Sequence, residues 1–103
     1  MNIREIQDQL AAFAAERDWD RFHSPKNLCM ALSAEAGELT DHFQWVTEQE
    51  SASLPPESKQ AAAYELADVF IYALRLADKL GIDLEDTVQR KMKLNAKKYP
   101  VTR

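Results

Sequence analysis

The chain holds one cysteine, Cys29, in 103 residues, so no disulfide can form within it. That fits a reducing compartment. Cys29 falls inside a helical pattern and reads as a buried, unreactive thiol. Glycine is scarce, with two residues, and proline little commoner, with four. With 46% apolar residues, so few breakers point to a packed domain and away from disorder. No apolar run approaches ~18 residues, and the first residues lack a basic-then-apolar leader pattern. A membrane span is not expected; a soluble, cytoplasmic protein is. An excess of positive charge is also missing. Thirteen basic residues face seventeen acidic ones, a net charge of −4, which makes duplex nucleic acid a poor partner. The length suits one domain over residues 1–103, with a core burying somewhat over ~60% of the unfolded surface.

What is present is helical periodicity. A first helix is expected from about Asn2 to Arg17, with Asn2 and Glu5 as a capping box and Ile3, Ile6, Leu10 and Phe13 on one face. Trp19, Phe22 and His23 lie in an irregular charged link. They either plug the end of a bundle or form an aromatic wall beside a pocket. Ser24-Pro25 starts a second helix, whose pattern holds to about Val46. Thr47 to Ser58, with Pro55-Pro56, reads as a loop. A third helix from about Glu57 to Leu80 is apolar nearly all round, so it is central or shared with another subunit. Gly81 ends it. Asp83 caps a fourth helix reaching about Lys97, with Leu84, Val88 and Met92 inward and Lys91 and Asn95 flanking that face. No strand or repeat is expected. The fold class is all-α, an antiparallel four-helix bundle.

Acids interrupt the apolar stripes. Leu28, Leu32, Glu35, Leu39, Phe43 and Val46 recur in steps of three or four, so Glu35 falls where an apolar residue is due. Glu38 follows one turn on. Glu65 and Asp68 make a second i, i+3 pair among apolar neighbours. Four inward carboxylates need compensating charge. Either the helices turn them to water, or the acids hold a cation. Oxygen-only ligands suit Mg²⁺. A di-iron bundle site needs Glu-x-x-His motifs, which neither pair supplies. His42, two turns after Glu35 on much the same side, keeps a transition metal in play. Acids at i, i+3 are common on solvated faces; two pairs in apolar runs on adjacent helices favour the cation. The basic cluster Lys91, Lys93, Lys97, Lys98 and Arg103 either complements a helix end or faces phosphate.

Glu35-x-x-Glu38, Glu65-x-x-Asp68, and Lys91 with Asn95 resemble the MazG-like nucleotide pyrophosphohydrolases of the all-α NTP pyrophosphatase superfamily. Arg17-Asp18-Trp19, Phe22-His23-x-Pro25-x-Asn27-Leu28 and Phe43-Gln44-Trp45 are similar to its dCTP pyrophosphatase branch. The likeness runs from about Ile3 to Pro100. It implies hydrolysis of a nucleoside triphosphate, dCTP or a modified dCTP, to the monophosphate and pyrophosphate. It implies Mg²⁺, with Mn²⁺ as a substitute, on Glu35, Glu38, Glu65 and Asp68. It also implies Trp19 and Trp45 at the base, His23 close by, and Lys91, Asn95, Tyr72 and Tyr99 near the phosphates. Homodimers or homotetramers with sites between subunits complete the expectation. His42 stands where the family leads one to expect an apolar residue.

In such a reaction a triphosphate reaches four acids only across a metal, which polarises phosphoryl oxygens and lowers the pKa of a bound water. Glu38 is the candidate to take that water's proton, and Lys91 the candidate to offset charge on the leaving pyrophosphate. Two other classes remain open on the residues alone: a non-catalytic nucleotide sensor on the same scaffold, and a purely structural helical dimer with solvated acids.

Overall fold

The computed structural model describes residues 2–102, and among them there are five α-helices and no strand. They are α1 (Ile3–Glu16), α2 (Pro25–Asp41), α3 (Glu48–Ser51), α4 (Pro56–Leu80) and α5 (Leu84–Lys98), with a 3₁₀ turn at Asp20–Phe22.

The starts of the helices follow local chemistry. Asn2 Oδ1 accepts from the Glu5 amide at 3.0 Å, and Ser24 Oγ from the Asn27 amide at 3.2 Å. Only this half of the box expected at Asn2 forms. Asp83 Oδ1 accepts from the Asp86 amide at 3.1 Å. The full box appears in the stretch expected to be a loop. Thr47 Oγ1 accepts from the Glu50 amide at 3.0 Å, and Glu50 Oε1 from the Thr47 amide at 2.9 Å, which creates α3. The second helix stops at Asp41, short of Val46. Phe43 N–H reaches Thr40 C=O at 2.9 Å and Val46 N–H reaches Phe43 C=O at 3.2 Å, so tight turns continue the apolar spacing without the helix.

Two helices end alike. Gly81, at φ +67°, lets its N–H reach Asp78 C=O at 3.1 Å and lets Ile82 N–H reach Ala77 C=O at 2.9 Å. The same double closure ends α1 with Asp18 at φ +56°, where Asp18 N–H bonds Ala15 C=O at 3.2 Å and Trp19 N–H bonds Ala14 C=O at 2.9 Å. Aspartate tolerates this left-handed geometry better than most residues. A Cβ at Gly81 would meet nothing within 4 Å, so only backbone strain opposes it. Gly81→Ala should therefore cost ~1 kcal/mol in urea unfolding, with no change in m-value.

Packing centres on α2 against α4, with α1 laid on α4. Leu39 and Phe43 share a crevice with Lys59, Ala62 and Leu66, while Glu35 meets Glu65, so α2 and α4 run antiparallel. Leu28 and Leu74 are fully buried. Buried Gln7 donates to Leu74 C=O at 3.0 Å, and Arg4 forms a two-pronged pair with Asp78, at 3.1 and 3.3 Å, tying α1 to α4. Hydrogen bonds to Asp78 and then Asp8 raise the pKa of Arg4 further.

The fourth long helix departs from expectation. α5 has no buried residue, and Val88 and Met92, expected inward, are 46% and 59% exposed. The described chain therefore packs three helices and leaves α5 apart. Its radius of gyration is 16.7 Å, against ~13 Å for a compact chain of this length. Tyr64, Leu66 and Phe70 on α4 are exposed as well. Cys29, expected buried, is exposed, whereas its neighbour Leu28 takes the buried position on α2. No helix is long and apolar enough to cross a membrane among the described residues.

Candidate metal centre and aromatic cleft

One carboxylate oxygen from each of Glu35, Glu38 and Glu65 lies within 4.8 Å of the other two. α2 supplies the first two acids, on one face by their i, i+3 spacing, and α4 supplies the third across the packed pair. Glu38 is exposed, while Glu35 and Glu65 are half-buried. Glu35 Oε2 and Glu65 Oε2 are fully buried atoms, and neither has a hydrogen-bond partner. Two buried acceptors facing each other without a donor are costly.

The proton equilibrium registers that cost. The Glu35 carboxyl is pushed up from 4.5 to about 7, first because Glu65 would accept a hydrogen bond from its protonated form. Burial adds to this, followed by Glu38 and by the negative charge of Asp68. Carboxyl groups can share a hydrogen bond only when one keeps a proton. A divalent cation can take that proton's place and satisfy both orphaned oxygens, so the donor set fits a hard metal ion. Residues present for it are Glu35, Glu38 and Glu65. Asp68 falls outside the 4.8 Å group, although its charge acts on Glu35.

Asp68 instead lines a cleft of ≈ 380 Å³ with Phe13, Trp19, His23, Tyr72 and Arg75. One acid thus adjoins both features. The left-handed turn at Asp18 reverses the chain and sets Trp19 edge-on to Phe13, with ring centroids 5.5 Å apart and planes at 64°. Trp19 is still 46% exposed, so its ring forms a wall rather than a plug. The following turn is anchored by charge. Asp20 Oδ1 accepts from Lys79 Nζ at 2.7 Å and Arg75 Nη2 at 3.0 Å, both from α4. These two bonds, Lys79 first, hold the Asp20 carboxyl below its ordinary range. Asn27 Nδ2 donates to Phe22 C=O at 3.0 Å and fixes the other end of the turn.

Expected site residues thus fall into two groups. Glu35, Glu38, Glu65, Asp68, Trp19, His23 and Tyr72 gather at the cluster and cleft. Trp45, Lys91, Asn95 and Tyr99 line neither. Trp45 is 87% exposed just beyond the end of α2, and the other three lie on or just after the detached α5. His42, on a separate crevice with Val46 and Leu54, is not among the clustered acids.

Sequence reasoning missed Arg75. It is 3% exposed, touches Asp20 and His23, and keeps a buried Nε without a partner. The signal was a charged residue seven positions after Asp68 in a helix apolar on nearly all sides. Its partner sits 55 residues earlier, which no local pattern can show.

The sequence model described as the MazG-like family matches residues 30–103. The chain belongs to the MazG-like family. The two pairs of acids, the cleft residues Tyr72 and Arg75, and all of α4 fall within that match, whereas Trp19 and His23 precede it. The chain is 44% identical over 101 residues to dCTP pyrophosphatase 1 of Mus musculus and 43% identical over 100 residues to that of Homo sapiens. Those alignments take in 96% and 95% of the chain but 59% of each relative, so it spans about six-tenths of their length. A crystal structure of a pyrophosphatase from Archaeoglobus fulgidus superposes with a TM-score of 0.89 at 38% identity. That superposition covers 95% of this chain and 92% of the other. The fold of that pyrophosphatase is therefore shared over nearly the whole chain.

Proposed function

We propose that this MazG-like chain is a metal-dependent nucleoside triphosphate pyrophosphohydrolase acting on dCTP or a modified dCTP. Water and the triphosphate give the monophosphate and pyrophosphate. The observation that carries this reading is the pair of orphaned buried oxygens on Glu35 and Glu65 beside an aromatic cleft. The names of the dCTP pyrophosphatase 1 relatives and of the Archaeoglobus pyrophosphatase supply the substrate class and reaction.

Glu35, Glu38 and Glu65 would hold Mg²⁺, or Mn²⁺ in its place, and Asp68, expected as a fourth ligand, adds its charge from the adjoining cleft. When bound, the ion supplies phosphoryl polarisation and a water of lowered pKa. Glu38, exposed beside Glu35 and Glu65, would act as the base that takes a proton from the attacking water. The acids alone would repel a polyphosphate, so affinity without the ion should vanish. Trp19 would stack on the base, which contributes ~1–3 kcal/mol, while Tyr72, expected near the phosphates, lines the same cleft. The substrate residues Trp45, Lys91, Asn95 and Tyr99 stand away from this cleft in the single chain. The uncovered apolar faces of α4 and α5 support a homodimer or homotetramer in which they reach a neighbouring copy's site. There Lys91 would offset charge on the departing pyrophosphate, and packing between copies would complete the four-helix bundle.

Purified protein should release pyrophosphate from dCTP with millimolar Mg²⁺ and none with EDTA. A panel of nucleoside triphosphates that yields no pyrophosphate with either Mg²⁺ or Mn²⁺ would defeat this reading. Light scattering should give twice or four times the chain mass of 11.8 kDa; a monomer would sink the shared-site arrangement.

A further inference from the structure

We infer that Arg75 determines base selectivity as a positioning residue, by locking His23 into the tautomer that carries its proton on Nε2. The inference rests on the reading that the aromatic cleft takes the base of a nucleotide.

Arg75 Nη2 lies 3.2 Å from His23 Nδ1. A guanidinium has donors only. The Nδ1 atom must therefore accept, and a neutral ring then places its single proton on Nε2. A protonated ring would set one cation against another. Burial first, and then the charge of Arg75, lower the pKa of His23. Asp20 pulls the other way, but its carboxylate already takes Arg75 and Lys79 at 3.0 and 2.7 Å. Asp20, Lys79 and Arg75 are the charged groups acting on the ring. The guanidinium itself cannot drift, since it is 3% exposed and held by Asp20.

His23 therefore brings one fixed donor to a cleft walled by Phe13, Trp19 and Tyr72. A neutral imidazole is a poor phosphate ligand, and Arg75 spends Nη2 on Asp20 and His23 while its Nε is buried away from solvent. An aromatic cleft with a neutral donor suits a base. A fixed N–H donates to a ring nitrogen with a free lone pair, such as cytosine N3. It meets donor against donor at uracil or thymine, whose N3 carries hydrogen. Free imidazole could switch tautomer to suit either base. The lock removes that freedom, and selectivity follows from the donor it leaves.

Three measurements test this. Long-range ¹H–¹⁵N spectra of the wild-type protein, with the His23 signals assigned by their loss in His23→Gln, should show a neutral ring protonated on Nε2 at pH 7. Binding of dCMP and dUMP, which needs no turnover, should favour dCMP. In Arg75→Met that preference should fall about tenfold, the worth of one hydrogen bond, and the ring should show mixed tautomers. Arg75→Lys, which keeps the charge but loses the fixed fork, should lie between. A wild-type ring protonated on Nδ1, or on both nitrogens, overturns the inference, and this holds even if the variants do not fold. An unchanged dCMP preference in a folded Arg75→Met also overturns it. Turnover of dCTP measured in parallel separates the two ideas. Turnover with the wrong tautomer defeats only the role of Arg75, while absence of turnover and of mononucleotide binding defeats both.

Discussion

Glu35→Gln should abolish metal-dependent pyrophosphate release and, in the same protein without metal, raise the melting temperature at pH 8. The two effects have one origin. Glu35 sits within 4.8 Å of Glu38 and Glu65, with a buried oxygen that has no donor. An amide keeps the shape, removes a charge, and offers N–H groups to the carboxylates opposite. The metal-free fold gains because repulsion becomes hydrogen bonding, and for a chain of this size each ~1 kcal/mol moves Tm by roughly 4–8 °C. A metal ion loses a charged ligand. Disturbing even the groups that orient ligands costs ~10–100-fold, so loss of a ligand should cost at least a hundredfold in activity. Circular dichroism should show unchanged helix content. A variant that melts lower without metal and still turns over dCTP would contradict the site as built here.

Stability of the metal-free protein should fall as pH rises from about 4.5 to about 7, then level off. The folded Glu35 carboxyl titrates at about 7 against 4.5 for the free group, so the folded state binds the extra proton in that window. Wherever the folded state binds more protons, raising the pH costs stability. This is opposite in sign to an ion-paired carboxylate such as Asp20, whose lowered pKa favours folding at higher pH. Divalent metal competes with the proton, so its apparent affinity should rise with pH and flatten above about 7. At a metal concentration near 100 times Kd the fold should gain ~2.7 kcal/mol, expressed far more at pH 8 than at pH 5. Melting curves across pH 5–8, in EDTA and in Mg²⁺, check both statements. Glu35→Gln should remove the metal-free slope. A flat wild-type profile throughout the window would show that the cluster lies open to water.

Much of this architecture is legible locally. Asn2, Ser24-Pro25 and Asp83 mark helix starts, because one side-chain oxygen at the right offset satisfies an orphaned amide. Gly81 marks an end for a similarly local reason. The stop at Asp41 was hidden, since Phe43 and Val46 keep helical spacing while the backbone tightens into turns. The left-handed Asp18 was hidden too, because aspartate takes that conformation only where the closing bonds to Ala14 and Ala15 repay it. Reading Leu84, Val88 and Met92 as inward assumed that an apolar stripe finds its partner within its own chain.

The sequence by itself determined the starts and the order of the four long helices, and which acids share a face, since each follows from spacing and neighbours within a few residues. Only the tertiary structure decided that Glu35 and Glu38 meet Glu65, that Asp68 turns to the cleft, that α5 stands apart, and that buried Arg75 joins Asp20 to His23. Those outcomes depend on how α1, α2 and α4 cross in space. Contacts between residues 27 to 55 positions apart are set by the packing of whole helix faces, a property that no short window of sequence contains.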